Sequence, residues 1–148
     1  MLEDLDQLLR QKKGKILFVG IGNLLKMDDG VGVYISKKIK DSDSHSSLTV
    51  ETSIENYIGK INTLDPDILV LIDCVDLSST PGTCKLLTLD QIQDITFNTH
   101  NISLKKVADF FKMPVYILGI QPAKVDFGEN ISYLVKRIAN KIVKQINS

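Results

Sequence analysis

The chain is predicted to fold as an α/β protein, a three-layer α/β/α sandwich around a twisted, mostly parallel but mixed sheet of about five strands. Three observations predict it. Short apolar runs at 16–19, 68–72 and 115–120 have no polar alternation, as strands buried on both faces require. Stretches with helical spacing lie between them, the pattern of helices covering a parallel sheet. The polar link at 77–82 is too short for a crossover helix, so one strand should run hairpin-like against the rest.

The elements follow in order. Leu2, Leu5, Leu8 and Leu9 share a helical face, predicting a short packing helix. Three acids precede its first base, the wrong polarity for a secretory signal. A first strand at 16–19 leads through a glycine-rich loop to a helix marked by Val31, Ile35 and Ile39. The stretch 41–47 is a polar loop in which His45 is expected to be solvated. Strands at 48–51, 68–72 and 85–89 come next. Ile102, Val107, Phe110 and Phe111 then suggest a helix closed by Pro114, before the strand at 115–120. Ile131, Leu134, Val135, Ile138, Ile142 and Ile146 form the apolar stripe of a last helix. Its Lys136, Arg137, Lys141 and Lys144 read as a solvated face rather than a binding patch, and they suit the negative end of the helix dipole.

Composition narrows the function classes. At 148 residues, one domain over 1–148 is expected, with 1–14 a leader helix to which the sequence gives no role. Eighteen Lys and Arg balance eighteen Asp and Glu, which argues against nucleic-acid binding. The 43% hydrophobic content argues against disorder, and no apolar run is long enough to span a bilayer. Cys74 and Cys84 have no metal-binding spacing and do not make a disulfide scaffold. A soluble, cytoplasmic protein is expected.

In parallel α/β sheets, reacting groups gather at the carboxyl ends of the strands. Three segments are expected there. The first strand runs into Gly20, Gly22, Asn23, Asp28, Asp29, Gly30 and Gly32. Leu25 replaces the third glycine of a dinucleotide fingerprint, and no helix starts beside the glycines, so a Rossmann reading is weak. The glycines instead allow a tight path that presents Asn23, Asp28 and Asp29, although two acids before a helix also suit its positive end. The third strand ends at Asp73, where an aspartate caps turns as readily as it serves a site. His100 stands at an expected helix start, where the dipole favours the neutral imidazole that ligates metal; a capping histidine fits the position equally. No HExxH or G-x-S-x-G motif is present. Two carboxylates and one imidazole on three loops make a three-donor site for a borderline divalent metal, with positions left open.

The pattern G-x-G-N-x-L-x-x-D-D-G-x-G over 20–32 resembles the N-terminal signature of the nickel-iron hydrogenase maturation proteases. Further blocks occur in the family's order: Glu55, Asn56 and Tyr57; Leu69, Ile72 and Asp73; the turn of Pro81, Gly82 and Thr83; Thr99, His100 and Asn101; and 118–122, which contains Gln121 and Pro122. The last two blocks resemble the formate-hydrogenlyase-type branch. The resemblance implies a cytoplasmic endopeptidase that removes the C-terminal tail from the nickel-loaded precursor of a hydrogenase large subunit, its protein partner. It also implies that Asp29, Asp73 and His100 recognise the nickel, a set that zinc or cadmium could occupy as a surrogate. Asn23 and Asp28 are expected to shape the loop, with Glu55, Asn56 and Gln121 as lining residues. One departure stands out: many relatives carry a Gly-Gly-rich turn where this chain has Glu51, Thr52 and Ser53. Two rival classes remain, a noncatalytic chaperone that holds a nickel precursor and a nucleotide-binding module. Cleavage assays and nucleotide binding separate them.

Overall fold

The strands named by their apolar runs pair into one five-stranded sheet, in the order β2-β1-β3-β5-β4. The computed structural model describes residues 2–11, 14–91 and 104–148. In chain order it contains α1 (Glu3–Arg10), β1 (Ile16–Ile21), α2 (Val31–Ser36), β2 (His45–Glu51), α3 (Ile58–Leu64), β3 (Ile68–Cys74), β4 (Cys84–Thr88), α4 (Leu104–Ala108), β5 (Val115–Ile120) and α5 (Tyr133–Asn147). β2, β1, β3 and β5 are parallel, and β4 runs antiparallel. The α/β class and the mixed sheet are as the sequence predicts.

Continuous apolar runs make sense because both faces are covered. Leu17, Val19, Leu69, Leu71 and Ile117 turn to one core, shared with Ile61 of α3 and Val107 of α4. Ile16, Phe18, Val70, Ile72 and Leu118 turn to the other, shared with α1, α2 and α5. Alternation along each strand thus fills two cores instead of one core and a solvated face.

Contact between α2 and the sheet is close because glycines remove side chains where they meet. A Cβ at Gly32 would collide with the carbonyl oxygens of Ile21 and Ile72, and one at Gly20 with Ser36 Oγ and the Gly32 carbonyl. Backbone cannot yield as a flexible side chain would. We therefore expect Gly32→Ala to destabilise the fold by roughly 2–3 kcal/mol in urea titration, an overpacking cost. Wild-type stability in that variant would contradict the packing described.

Several expectations need correction. β4 is antiparallel but pairs with β5, not with β3. The connection 75–83 passes over the end of β5, held there by Val75 N–H to the Ile120 carbonyl (3.0 Å), Gln121 N–H to the Thr83 carbonyl (2.8 Å) and Gly82 N–H to the Gln121 carbonyl (2.9 Å). Strand β5 therefore occupies the slot a hairpin would have closed. His45 is buried, not solvated: it opens β2 opposite Ile16, and its ring meets Phe18 edge-on at 6.0 Å. Of the last helix's stripe, Val135, Ile142 and Ile146 are buried with Ala139, while Leu134 is half exposed and Ile131 precedes the helix. The helix α4 ends before Phe110, which is exposed, although Phe111 is buried; Ile102 lies outside the described residues. Helix α3 was not among the expected elements; it stops at Asp65, in the left-handed region with φ 50°, just before Pro66.

The N-terminal helix is present and packs as its leucines require. Leu5 and Leu8 are buried. Its start is tied to α5 by a reciprocal pair: Leu2 N–H donates to Gln145 Oε1 (3.3 Å) and Gln145 Nε2 donates to the Leu2 carbonyl (2.8 Å).

The two cysteines stand opposite the same residue, Ile120, from either side of β5. Two strand spacings of about 4.8 Å separate them, beyond disulfide reach. Both are free. Burial pushes the Cys84 thiol up to about 12, so it stays protonated at neutral pH and unreactive. Among the described residues no helix is long and apolar enough to cross a membrane.

Candidate active site

Strand β1 ends at Ile21, and the chain then turns sharply through Gly22, whose φ of 147° suits only glycine. A Cβ there would meet the carbonyl oxygen of Asp29, so the returning loop presses directly on this position. Asn23 shapes the path: its Oδ1 accepts the Leu25 amide at 2.9 Å, an Asx turn, and its backbone carbonyl accepts the Lys26 amide at 3.1 Å. A 3₁₀ turn over Met27–Gly30 then runs straight into α2 and carries the two acids.

Asp28 and Asp29 are both fully buried, but they do different things. Asp28 Oδ2 accepts the amides of Ala123 (2.8 Å) and Lys124 (3.0 Å) and the Ser132 hydroxyl (2.8 Å). Its Oδ1 accepts the Ser132 amide at 2.6 Å. With four donors on one carboxylate, Asp28 is a clamp that fastens the segment 123–132 onto the first loop. Asp29 commits Oδ2 to the Asn23 amide at 3.0 Å, which fixes its own loop. Adjacent residues on a tight turn point apart, which divides bracing from presentation.

Asp73 is the last but one residue of β3, beside Gly119 of β5 and fully buried, and its Oδ1 accepts the following amide of Cys74 at 2.8 Å. The Met27–Gly30 turn packs against β3. The Cys74 thiol beside them is itself buried. Burial raises its pKa most, and the charges of Asp73, Asp29, Asp28 and Asp76 raise it further. Asp73 follows Ile72, the partner of Gly20, so the end of β3 and the loop that carries Asp29 lie side by side at the carboxyl edge of the sheet. His100 lies outside the described residues. Among the described residues, no three His, Cys, Asp or Glu side chains gather to hold a metal ion.

Of the proposed lining residues, Gln121 is buried and its Oε1 accepts the Leu77 amide, so it braces the connection over β5. Glu55 sits on the 3₁₀ turn Ile54–Tyr57 after β2, with Oε2 buried and without a hydrogen-bond partner among the described residues. Asn56 is exposed. Where the resemblance led us to expect glycine, Glu51 takes φ 56°, a left-handed conformation that costs an L residue about 1–2 kcal/mol. Its carbonyl accepts the Gly22 amide at 2.9 Å, so the strained residue ties the end of β2 to the first loop. Sequence reasoning missed Ser132 and the backbone of 123–124 as partners of Asp28, since amide donors carry no residue signature.

The donors described at this edge of the sheet are carboxylate oxygens. Asp29 and Asp73 each have one carboxylate oxygen fixed by a backbone amide, which holds the side chains in place.

Comparison with known proteins places these features in a family context. The family model for hydrogenase maturation protease, HycI, matches residues 31–148. A Methanocaldococcus jannaschii protein assigned as a hydrogenase maturation protease is 31% identical over 156 residues, covering 96% of this chain and 90% of its own length. The hydrogenase 3 maturation protease of Escherichia coli K12 is 26% identical over 132 residues, covering 85% of each chain. The crystal structure of a [NiFe] hydrogenase maturation protease HycI from Thermococcus kodakarensis superposes with a TM-score of 0.80 at 23% identity, over 99% of this chain and 100% of that one. The solution structure of the Escherichia coli endopeptidase HycI gives 0.76 at 25% identity, over 90% and 89%.

Proposed function

This chain belongs to the hydrogenase maturation proteases, and on that premise we propose that it removes the C-terminal tail from the nickel-loaded precursor of a nickel-iron hydrogenase large subunit. It is a hydrolase that cuts a peptide bond. The proposed partner is the precursor itself, and the proposed location is the cytoplasm, as the family resemblance implies.

In this reading the nickel belongs to the substrate. Asp29, Asp73 and His100 are the side chains that recognise it, and the positions they leave open are filled by the precursor's own groups. Recognition by direct coordination makes the metal a tag: a precursor without nickel offers nothing to hold. Hydrolysis then needs a water next to the scissile carbonyl and a carboxylate within reach to take its proton. The observation that supports the assignment is that the Met27–Gly30 turn, which carries Asp29, packs against β3, which carries Asp73, at the carboxyl ends of adjacent strands. Asp28 is assigned to the scaffold, since its two oxygens are already occupied by four donors.

The test is a gel-mobility assay of precursor with and without nickel. We expect the purified protein to shorten the loaded form and leave the empty form uncut. We also expect His100→Ala to lose cleavage while its circular dichroism stays that of the wild type. Equal cleavage of both precursor forms, or full activity in the His100 variant, would overturn nickel recognition by this triad.

A further inference from the structure

Six large hydrophobic side chains stand exposed among the described residues, and four of them are carried by the segments that the Asp28 clamp joins. Leu25 is 59% exposed, Phe127 87%, Tyr133 76% and Leu134 50%. The first two sit on the loops that Asp28 fastens together, and the other two open α5 directly after Ser132, the clamp's last donor. Leu64 and Phe110 are the remaining pair, carried by α3 and by the segment after α4, in the opposite layer.

Scattered apolar residues on a surface need no explanation, but a cluster does. This cluster is also held firmly. Gly128 N–H donates to the Leu25 carbonyl at 2.9 Å, Met27 N–H to the Gly128 carbonyl at 2.8 Å, and Asp28 N–H to the Lys124 carbonyl at 3.1 Å. The backbone beneath Leu25 and Phe127 is therefore ordered before any partner arrives, which lowers the entropy cost of binding. An aromatic ring that is almost wholly exposed adds little to the core it borders. Rings of that kind, on a fixed backbone, are what protein interfaces use as anchors.

Position identifies the occupant. The Leu25 loop is the same loop that carries Asp29. A cleft of about 370 Å³ runs from Leu25 past Gly22 to Glu51 and Thr52. Its Gly22 wall lies against the backbone of Asp29. A peptide lying in this cleft runs beside Leu25, whose carbonyl accepts the N–H of Gly128, the residue next to Phe127. We infer that Leu25, Phe127, Tyr133 and Leu134 form the docking platform for the folded body of the precursor, an inference that rests on the cleavage function proposed above. The platform recognises an apolar patch beside the tail, and the adjacent cleft accepts the extended segment leading to the cut.

The experiment uses the full chain and a nickel-loaded large-subunit precursor that retains its C-terminal extension. Leu25→Ser/Phe127→Ser is compared with wild type and with Phe110→Ser, an equally exposed change in the other layer. Cleavage is followed over a range of precursor concentration, and precursor binding is measured separately by biolayer interferometry. We expect the double variant to raise KM and Kd at least tenfold with kcat within twofold, and Phe110→Ser to match wild type. An unchanged KM and Kd in the double variant overturns the platform, as does a fall in kcat alone. If wild type binds the precursor without cutting it, and the double variant binds tenfold more weakly, the platform stands and the protease reading falls. If wild type neither binds nor cuts, both are overturned.

Discussion

An Asp29→Asn variant should keep the fold and lose processing of nickel-loaded precursor by roughly a hundredfold or more, beyond the tenfold to hundredfold typical of groups that only support a metal ligand. The fold survives because Asn retains an oxygen that can accept the Asn23 amide, the bond Asp29 now makes through Oδ2. On the nickel recognition proposed above, activity is lost because a neutral amide is a poor ligand for a divalent cation. Cleavage rates against loaded precursor, with near-ultraviolet circular dichroism as the control for folding, are the measurements. Activity within tenfold of wild type would remove Asp29 from the recognition set.

Asp28→Ala should act on stability. Four donors converge on this carboxylate: the amides of Ala123, Lys124 and Ser132, and the Ser132 hydroxyl. Removing the acceptor strands buried donors, at about 1–3 kcal/mol for each that water cannot reach. We expect a loss of about 3 kcal/mol in urea titration. Asp28→Asn should be intermediate, because its amide group turns a donor toward one of the amides that now finds an oxygen. A loss below about 1 kcal/mol for the alanine variant would show that the clamp adds little.

These two aspartates show what a sequence can and cannot disclose. The spacing of Gly20, Gly22, Asp28, Asp29 and Gly32 is local, so a loop presenting acids at the end of β1 was legible. The division of labour between the two acids was less so, because the partners of Asp28 lie about a hundred residues away and most are backbone amides. β1, β3 and β5 were legible because burial on both faces leaves uninterrupted apolar runs, whereas the half-buried edge strands β2 and β4 gave only short candidates. Neighbour order was not: periodicity says that 84–88 is extended, but nothing local says that β5 will slide between it and β3. His45 misled for a related reason. It sits within the polar stretch 41–47, yet strand pairing with Ile16 and the ring of Phe18 draw it inside. The strain at Glu51 was invisible as well, since a left-handed residue is readable only where glycine fills it.

The strand order has a consequence for the order of assembly. A ribosome releases the chain from its N-terminus, and a domain gains structure as its contacts become available. The segments β1, α2, β2, α3 and β3 can associate while later residues are still being made, because their pairings are mutual. They bring Asp29 and Asp73 out early. Strand β4 emerges next and has nothing to pair with, because its partner β5 has yet to be made. Only after that, with 123–132, do the amides that satisfy Asp28 arrive. The acids of the first loop are thus made before the loop beside them is fastened, and a nascent chain halted before residue 123 would contain every strand of the sheet but none of the donors that answer Asp28.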